Sequence, residues 1–296
     1  MFLGSNINDA TRWITLPVAN ITFQPSDLAK LALIMYTARM LSKKQAEIKD
    51  FQKTFIPILL PIIGVCILII PSDLSTAVLL FTTNVLLMFI GRISLVQIGA
   101  LIGSGIIAIA FVILLLFVIP EDKMMGRMAT WKARIESFTN DGAPSYQVKH
   151  SKIAIAKGGL FRVRPGGSIQ RNYLPHPYSD FIYAIIIEEY GLMGGALIVL
   201  LYLILLYRSI KIVAKSPGAF GALLAVGLAL SLVLQAMVNM AVTVNLLPVT
   251  GLTLPMVSMG GSSMLFTSIA IGIILSVSRS IEDVTDTKKT NQFEVA

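Results

Sequence analysis

The sequence predicts an all-α, polytopic transmembrane helical bundle of about seven spans with one long external loop over 120–180. Three observations lead there. Hydrophobic residues fill 55% of the 296 positions, charged ones only 14%, and the mean hydropathy is +0.78, so water cannot be the solvent for most of the surface. The apolar residues fall into runs long enough to cross about 30 Å of hydrocarbon, which takes roughly 20 helical residues. Polar chemistry is instead concentrated between Pro120 and Asp180.

In chain order, Leu28–Leu41 is the shortest candidate and carries Lys30 and Arg39. It suits a tilted span, a re-entrant helix or an interfacial one. Phe55–Ile70 and Leu74–Gly91 are separated only by Pro71, Ser72 and Asp73, which reads as two spans joined by a tight polar turn. Ile93–Ile119, Gly191–Tyr207, Ala219–Leu247 and Leu254–Val277 are clear spans. Residues 1–280 thus form one membrane domain, and the polar tail 281–296 is expected to be disordered and cytoplasmic. Met1–Thr22 has no basic segment followed by an apolar one, hence no cleavable leader. Cys66, the one cysteine, lies in an apolar run, which excludes a disulfide framework and reads as core packing.

Positive residues near span ends are retained on the cytoplasmic side. Lys43, Lys44, Lys49 and Lys53, then Arg92, then Arg208, Lys211 and Lys215, then Arg279, alternate accordingly and place the 120–180 loop outside. That loop holds ten Lys or Arg against five Asp or Glu. Long loops cross largely regardless of charge.

Asp180 stands immediately before an apolar helix, so Ser179 or Asp180 is a natural N-cap. The other reading is a carboxylate at the membrane surface serving as a general base. Glu188 and Glu189 lie inside an apolar helix, where a carboxylate faces a partner or a cavity. Glu188, two helical turns after Asp180, can share its face, or it can pair with a basic residue. Lys123, Arg127, Lys132, Arg134, Lys149, Lys152, Lys157, Arg162, Arg164 and Arg171 surround Gly158-Gly159 and Gly166-Gly167. Arginines and exposed backbone amides suit a pyrophosphate; turns and a solvated face near anionic lipid account for them equally.

Asp73 can cap the helix that follows it, and Arg12 and Lys30 can meet phosphate at the outer surface beside Trp13. Pro255 and Gly260-Gly261 permit a kink in the last span, with Ser258, Ser262 and Ser263 satisfying freed backbone groups. His150 and His176 have no ligand-like spacing, and no zinc or Ser-His-Asp pattern is present.

Arg12-Trp-Ile, Gln24-Pro-Ser-Asp-Leu-Ala-Lys30, Asp73-Leu-Ser-Thr76, Tyr146-Gln147 with Ser151, Leu174-Pro175, Ser179-Asp-Phe-Ile182, Glu188-Glu189 and the stretch Pro248–Ser263 together resemble the FtsW/RodA/SpoVE family, known as SEDS proteins. The resemblance runs in order from Ala10 to Arg279. The wording around Asp180 is closer to the cell-division branch, FtsW, than to the elongation branch, RodA. It implies a ten-span fold, of which this chain starts after the third span, in the bacterial cytoplasmic membrane.

The implied activity is a peptidoglycan glycosyltransferase that polymerises lipid II at the outer face of that membrane, releasing undecaprenyl pyrophosphate. Asp180 matches the family's essential loop aspartate. Arg12, Lys30, Asp73, Arg127, Gln147, Ser151, Gln170, Glu188 and Ser262 are implied to bind substrate. The cofactor the resemblance admits is a divalent cation, magnesium or manganese. The implied partners are a class B penicillin-binding protein and other division proteins, with no nucleic acid. Arg162 and Arg164 stand where glycines are common in the family, and Thr250 where some relatives carry Lys. Two other functions are open: a lipid II flippase, which would use the same intramembrane polar groups but needs no base at Asp180, and a non-catalytic scaffold that activates a partner transpeptidase.

Overall fold

The computed structural model describes residues 5–7, 10–16, 21–119, 128–139, 145–161, 164–216 and 218–294, with side chains from 23 to 281 within those ranges. The chain starts with an antiparallel meander of three short strands, β1 (Ser5–Ile7), β2 (Ala10–Leu16) and β3 (Ile21–Phe23). The rest of the regular structure is helical. Phe23, at the end of β3, packs its ring 5.5 Å from that of Phe266 and seats the meander on the last helix.

α1 (Pro25–Lys43) begins with proline, whose missing N–H is unneeded in a first turn. A π-helical turn, Phe51–Phe55, is capped by Asp50, which accepts from the amides of Gln52 and Lys53, and leads into α2 (Ile56–Ile69). The Pro71-Ser72-Asp73 turn reverses the chain into α3 (Leu74–Ile90), and α4 (Leu95–Val118) follows. Two shorter helices, α5 (Met128–Thr139) and α6 (Tyr146–Gly158), belong to the long loop. α7 (Ile182–Lys215), α8 (Ala219–Thr243) and α9 (Gly261–Glu294) complete the bundle. α9 stays helical into the polar tail, where helix propagation adds one bond per residue once a nucleus exists.

Among the described residues, five helical runs are long and apolar enough to cross a membrane: Phe51–Ile69, α4, α7, α8 and the Gly261–Ile281 part of α9. α3 is shorter at 17 residues, and α1 carries Asp27, Lys30 and Arg39. α8 is the central helix, with 72% of its apolar span buried against 11% for α4, whose side chains are largely exposed. The main core joins α1, α2, α3, α8 and α9 through Ile34, Leu41, Ile58, Ile62, Leu80, Leu87, Leu228 and Ile274. Gly227 brings α8 close: a β-carbon there would lie 2.9 Å from Ile34 Cγ2 and 3.0 Å from Leu87 Cδ2. A second core of Tyr183, Ile187, Tyr202, Val233, Ala236, Met240 and Leu254 ties α7 to α8.

Two expectations change. The run Leu254–Val277 is not one span, because α9 starts only at Gly261 and residues 244–260 form an irregular segment. Asn245, Gly251 and Met256 have φ of 62°, 74° and 62°, and Pro255 lacks an amide proton, so no helix can pass through. Leu252, Leu254, Pro255 and Ser258 of this segment are buried while Val244, Leu246, Met256 and Met259 are exposed, and α8 side chains donate to the Leu252 and Thr253 carbonyls, the kind of partner that irregular backbone needs.

The span at Gly191–Tyr207 is part of a longer helix that bends at Gly191 (φ 74°, ψ −178°). There the Leu192 amide leaves the helical ladder and donates to Gly159 O at 2.9 Å. Gly158 lets α6 lie directly on α7, since a β-carbon would meet Ile187 O at 2.0 Å. The Gly166-Gly167 pair makes a turn closed by Gly167 N donating to Arg164 O at 3.0 Å. Both glycine pairs therefore serve backbone geometry.

Candidate active site

The turn leading into α7 and the irregular segment before α9 are laced together around Asp180. His176 (φ 54°) starts the turn, and its carbonyl accepts from the amides of Ser179 at 3.1 Å and Asp180 at 3.3 Å. The Met259 amide donates to Tyr178 O at 2.8 Å, and the Ser258 hydroxyl to Ser179 O at 2.5 Å. The Ser258 oxygen also accepts from the Leu254 amide at 2.7 Å. From α8, the Asn239 side-chain amide donates to Asp180 O at 2.9 Å and to Leu252 O at 2.7 Å. One turn earlier, Gln235 donates to Thr253 O at 2.9 Å.

This framework pins the backbone of Asp180 and, among the described residues, leaves its carboxylate nearly uncommitted. The expected N-cap is not made: the cap of α7 is Phe181, with no side-chain capping bond. Asp180 Oδ1 accepts from the Ser179 hydroxyl at 3.0 Å. A β-carbon at Gly251 would lie 3.6 Å from Oδ2, so that glycine's backbone forms the facing wall. From α5, Arg134 Nη1 donates to Thr250 O at 3.3 Å, bringing a guanidinium to the neighbouring residue of that wall.

The other predicted residues separate into distinct environments. Lys30 is enclosed between α1, α8 and α9, paired with Asp27 at 2.8 Å and donating to Gln235 Oε1 at 3.1 Å. It lines a cavity of about 30 Å³ whose polar side includes Ser231, Ser263 and Thr267 and whose apolar side includes Leu31, Leu232 and Phe266, room for a water molecule or two. Through Gln235 the Asp27–Lys30 pair connects to Thr253, and Thr253 to Ser263 at 3.2 Å. Asp73 is buried and caps α3, accepting from the Thr76 amide at 3.1 Å. Ser262 is buried in the first turn of α9, its hydroxyl unpartnered among the described residues.

Ser151 belongs to the contact between α6 and α8. It is fully buried and donates to Thr243 O at 2.7 Å, because α6 packs on the end of α8. Gln147 is half-buried on the first turn of α6. Glu188 shares no helical face with Asp180, since α7 begins only at Ile182. Nor does a cation pair with it among the described residues. It accepts from the Ser168 hydroxyl at 2.5 Å, the Ile169 amide at 3.3 Å and the Gln170 amide at 3.3 Å, folding the 168–172 segment over α7. Gln170, also buried, hydrogen-bonds His150 Nδ1 through Oε1 at 2.7 Å. His150 in turn stacks on Tyr173 and meets the tilted ring of Tyr146, with centroids 5.4 and 4.3 Å away.

Lys149, Lys152, Lys157 and Arg164 are exposed, and Lys132 lies 3.8 Å from Glu136. The side chain of Arg12, on β2, and the whole of Lys123, Arg127 and Arg162 lie outside the described residues. Among the described residues no three His, Cys, Asp or Glu side chains converge. Of these residues Asp180 would be the one to hold a magnesium or manganese ion, which would supply charge neutralisation at a substrate's phosphates. Asn239 was missing from the sequence-based set. Its signal was a second amide four residues after Gln235 in an otherwise apolar span, which puts both on one helix face.

The profile of the FtsW/RodA/SpoVE family, described as cell cycle protein, matches residues 1–283. The probable peptidoglycan glycosyltransferase FtsW of Geobacter sp. (strain M18) is 35% identical over 279 residues, covering 93% of this chain and 73% of the relative. Stage V sporulation protein E of Bacillus subtilis (strain 168) is 34% identical over 281 residues, covering 94% and 74%. Among solved structures, a chain from work on the structural coordination of polymerization and crosslinking by a peptidoglycan synthase complex superposes with a TM-score of 0.69 at 25% identity, covering 94% of this chain and 75% of that one. The rod shape determining protein RodA of Thermus thermophilus gives a TM-score of 0.61, also at 25% identity, covering 94% and 72%. With its profile match, these relatives and a shared helical membrane fold, the chain belongs to the FtsW/RodA/SpoVE family of cell cycle proteins.

Proposed function

We propose that this chain is a peptidoglycan glycosyltransferase that joins lipid II units into glycan strands during cell division, with Asp180 as its general base. The relatives named as peptidoglycan glycosyltransferases support the reaction class. The observation that carries the residue assignment is the Asp180 carboxylate, held on a pinned backbone with one hydroxyl partner among the described residues and no role in capping. In the reaction, Asp180 takes the proton from the acceptor sugar's 4-hydroxyl. That oxygen attacks the anomeric carbon of the donor, and the carbon–oxygen bond to undecaprenyl pyrophosphate breaks.

Arg134 is the described cation best placed to face the departing pyrophosphate, since it already reaches Thr250 beside the Asp180 wall. Arg12 and Arg127 are further candidates by resemblance. Lys30 is engaged by Asp27 and Gln235 and would have to exchange those bonds to reach a phosphate. A divalent cation would supply charge neutralisation at the same group.

The Lys and Arg distribution supports an active loop on the outer face of the cytoplasmic membrane. A transpeptidase partner, a class B penicillin-binding protein, and further division proteins are part of the proposal. It draws on the structural neighbour from a synthase complex that couples polymerization with crosslinking.

Purified chain with its partner, given lipid II and scored for glycan polymer beside Asp180→Asn, tests the assignment. Polymer from the parent and none from the variant is expected. Equal polymer from both would remove Asp180 as base. Transbilayer movement of lipid II without polymer would favour a flippase, and activation of the partner's crosslinking without polymer would favour a scaffold.

A further inference from the structure

We infer that Asn239 is a positioning residue for glycosyl transfer, setting the gap between the Asp180 carboxylate and the Gly251 wall; this rests on Asp180 being the base. Asn239 is 2% exposed in the buried part of α8. Its one side-chain nitrogen donates to two carbonyls from different segments, Asp180 O at 2.9 Å and Leu252 O at 2.7 Å. Two acceptors facing the same atom require an NH₂ there, so the amide orientation follows from the network. Neither a hydroxyl nor a carboxylate of this size can supply two protons from one atom to two carbonyls.

The consequence reaches the reacting groups through one residue on each side. On one side is the residue that carries the base. On the other, Leu252 is bonded to Gly251, where a β-carbon would stand 3.6 Å from Asp180 Oδ2. The φ of 74° at Gly251 holds the backbone turned toward that carboxylate. The neighbouring amide, Gln235, grips the next carbonyl, Thr253 O, but makes no bond to the Asp180 turn. Asn239 alone among the described α8 side chains ties both walls together, and misplacement of a base by even about 1 Å costs roughly 10²-fold in rate.

The test compares Asn239→Ala, Asn239→Asp and Asn239→Ser with the parent and Asp180→Asn, all as the full chain with its partner. Initial lipid II polymerisation rates are measured over a range of lipid II, and thermal stability is measured in detergent. Asn239→Asp keeps the volume but turns two donations into repulsions, while Asn239→Ser keeps a single donor. The expected result is a kcat reduced about 10- to 100-fold in the Ala and Asp variants, with KM within about twofold and a smaller loss in Ser.

Parental kcat in Asn239→Asp, or a loss confined to KM, would overturn the inference. So would failure of all three variants to fold, which would assign Asn239 to stability. If Asp180→Asn is inactive and the Asn239 variants are not impaired, only this inference fails. If Asp180→Asn polymerises normally, the base assignment itself fails.

Discussion

Replacing Glu188 by glutamine preserves the shape of a buried side chain while turning one of its two acceptor oxygens into a donor. In the native arrangement Oε2 accepts from the Ser168 hydroxyl and the Gln170 amide, and Oε1 from the Ile169 and Gln170 amides. Whichever way the new amide sits, its NH₂ faces at least one N–H or O–H. The Ser168 hydroxyl can rotate, but its oxygen already accepts from the Arg171 amide at 3.2 Å.

One buried donor left without an acceptor costs about 1–3 kcal/mol. Because roughly 1.4 kcal/mol is tenfold in an equilibrium, local opening of the segment rises about 5- to 150-fold. Hydrogen–deuterium exchange of a peptide covering 164–173 reads this directly, with a peptide from α8 as internal reference. Faster exchange in the first peptide alone is expected. Parental exchange there, in a folded Glu188→Gln protein, would refute the reading of Glu188 as the anchor of this segment.

Gly158→Ala would push a β-carbon against the Ile187 carbonyl, a backbone atom that cannot step aside. A loss of about 1–3 kcal/mol is expected, seen as a melting temperature lower by several degrees, whereas an unchanged value would contradict the close α6–α7 contact. Lys30→Met would leave Asp27 buried without its ion-pair partner and cost about 3 kcal/mol. Adding Asp27→Asn should recover part of that loss; strictly additive losses in the thermal melts would argue against coupling.

The helices were legible because hydropathy reports burial in lipid or protein, and every predicted span contains helix. Hydropathy does not report whether the backbone can be helical. That is why Leu254–Val277 read as a span although Pro255 and the left-handed Gly251 and Met256 keep residues 244–260 irregular. Pro248 and Pro255 were the available warning.

At the site, Asp180 was legible as a residue but not in its setting. An aspartate before an apolar run suggests a cap, yet the His176 turn and the bonds from Ser258 and Met259 delay the helix start and leave its carboxylate bonded, among the described residues, to the Ser179 hydroxyl and not to a helix amide. Glu188 was misplaced for the same reason: the shared-face argument assumed helix from 180 onward. The α8 row of Gln235 and Asn239 was in plain view. Its partners, carbonyls 13 to 59 residues away along the chain, are tertiary facts that no local pattern carries.

The assignment of Asp180 as base is tested most directly by the initial rate of undecaprenyl pyrophosphate release from lipid II, measured for the parent and for Asp180→Asn at equal amounts of folded protein with the same partner. Removing a general base lowers such a rate by about 10²–10⁴-fold, and a loss of that size with unchanged lipid II binding is predicted. Release at the parental rate from Asp180→Asn would contradict it.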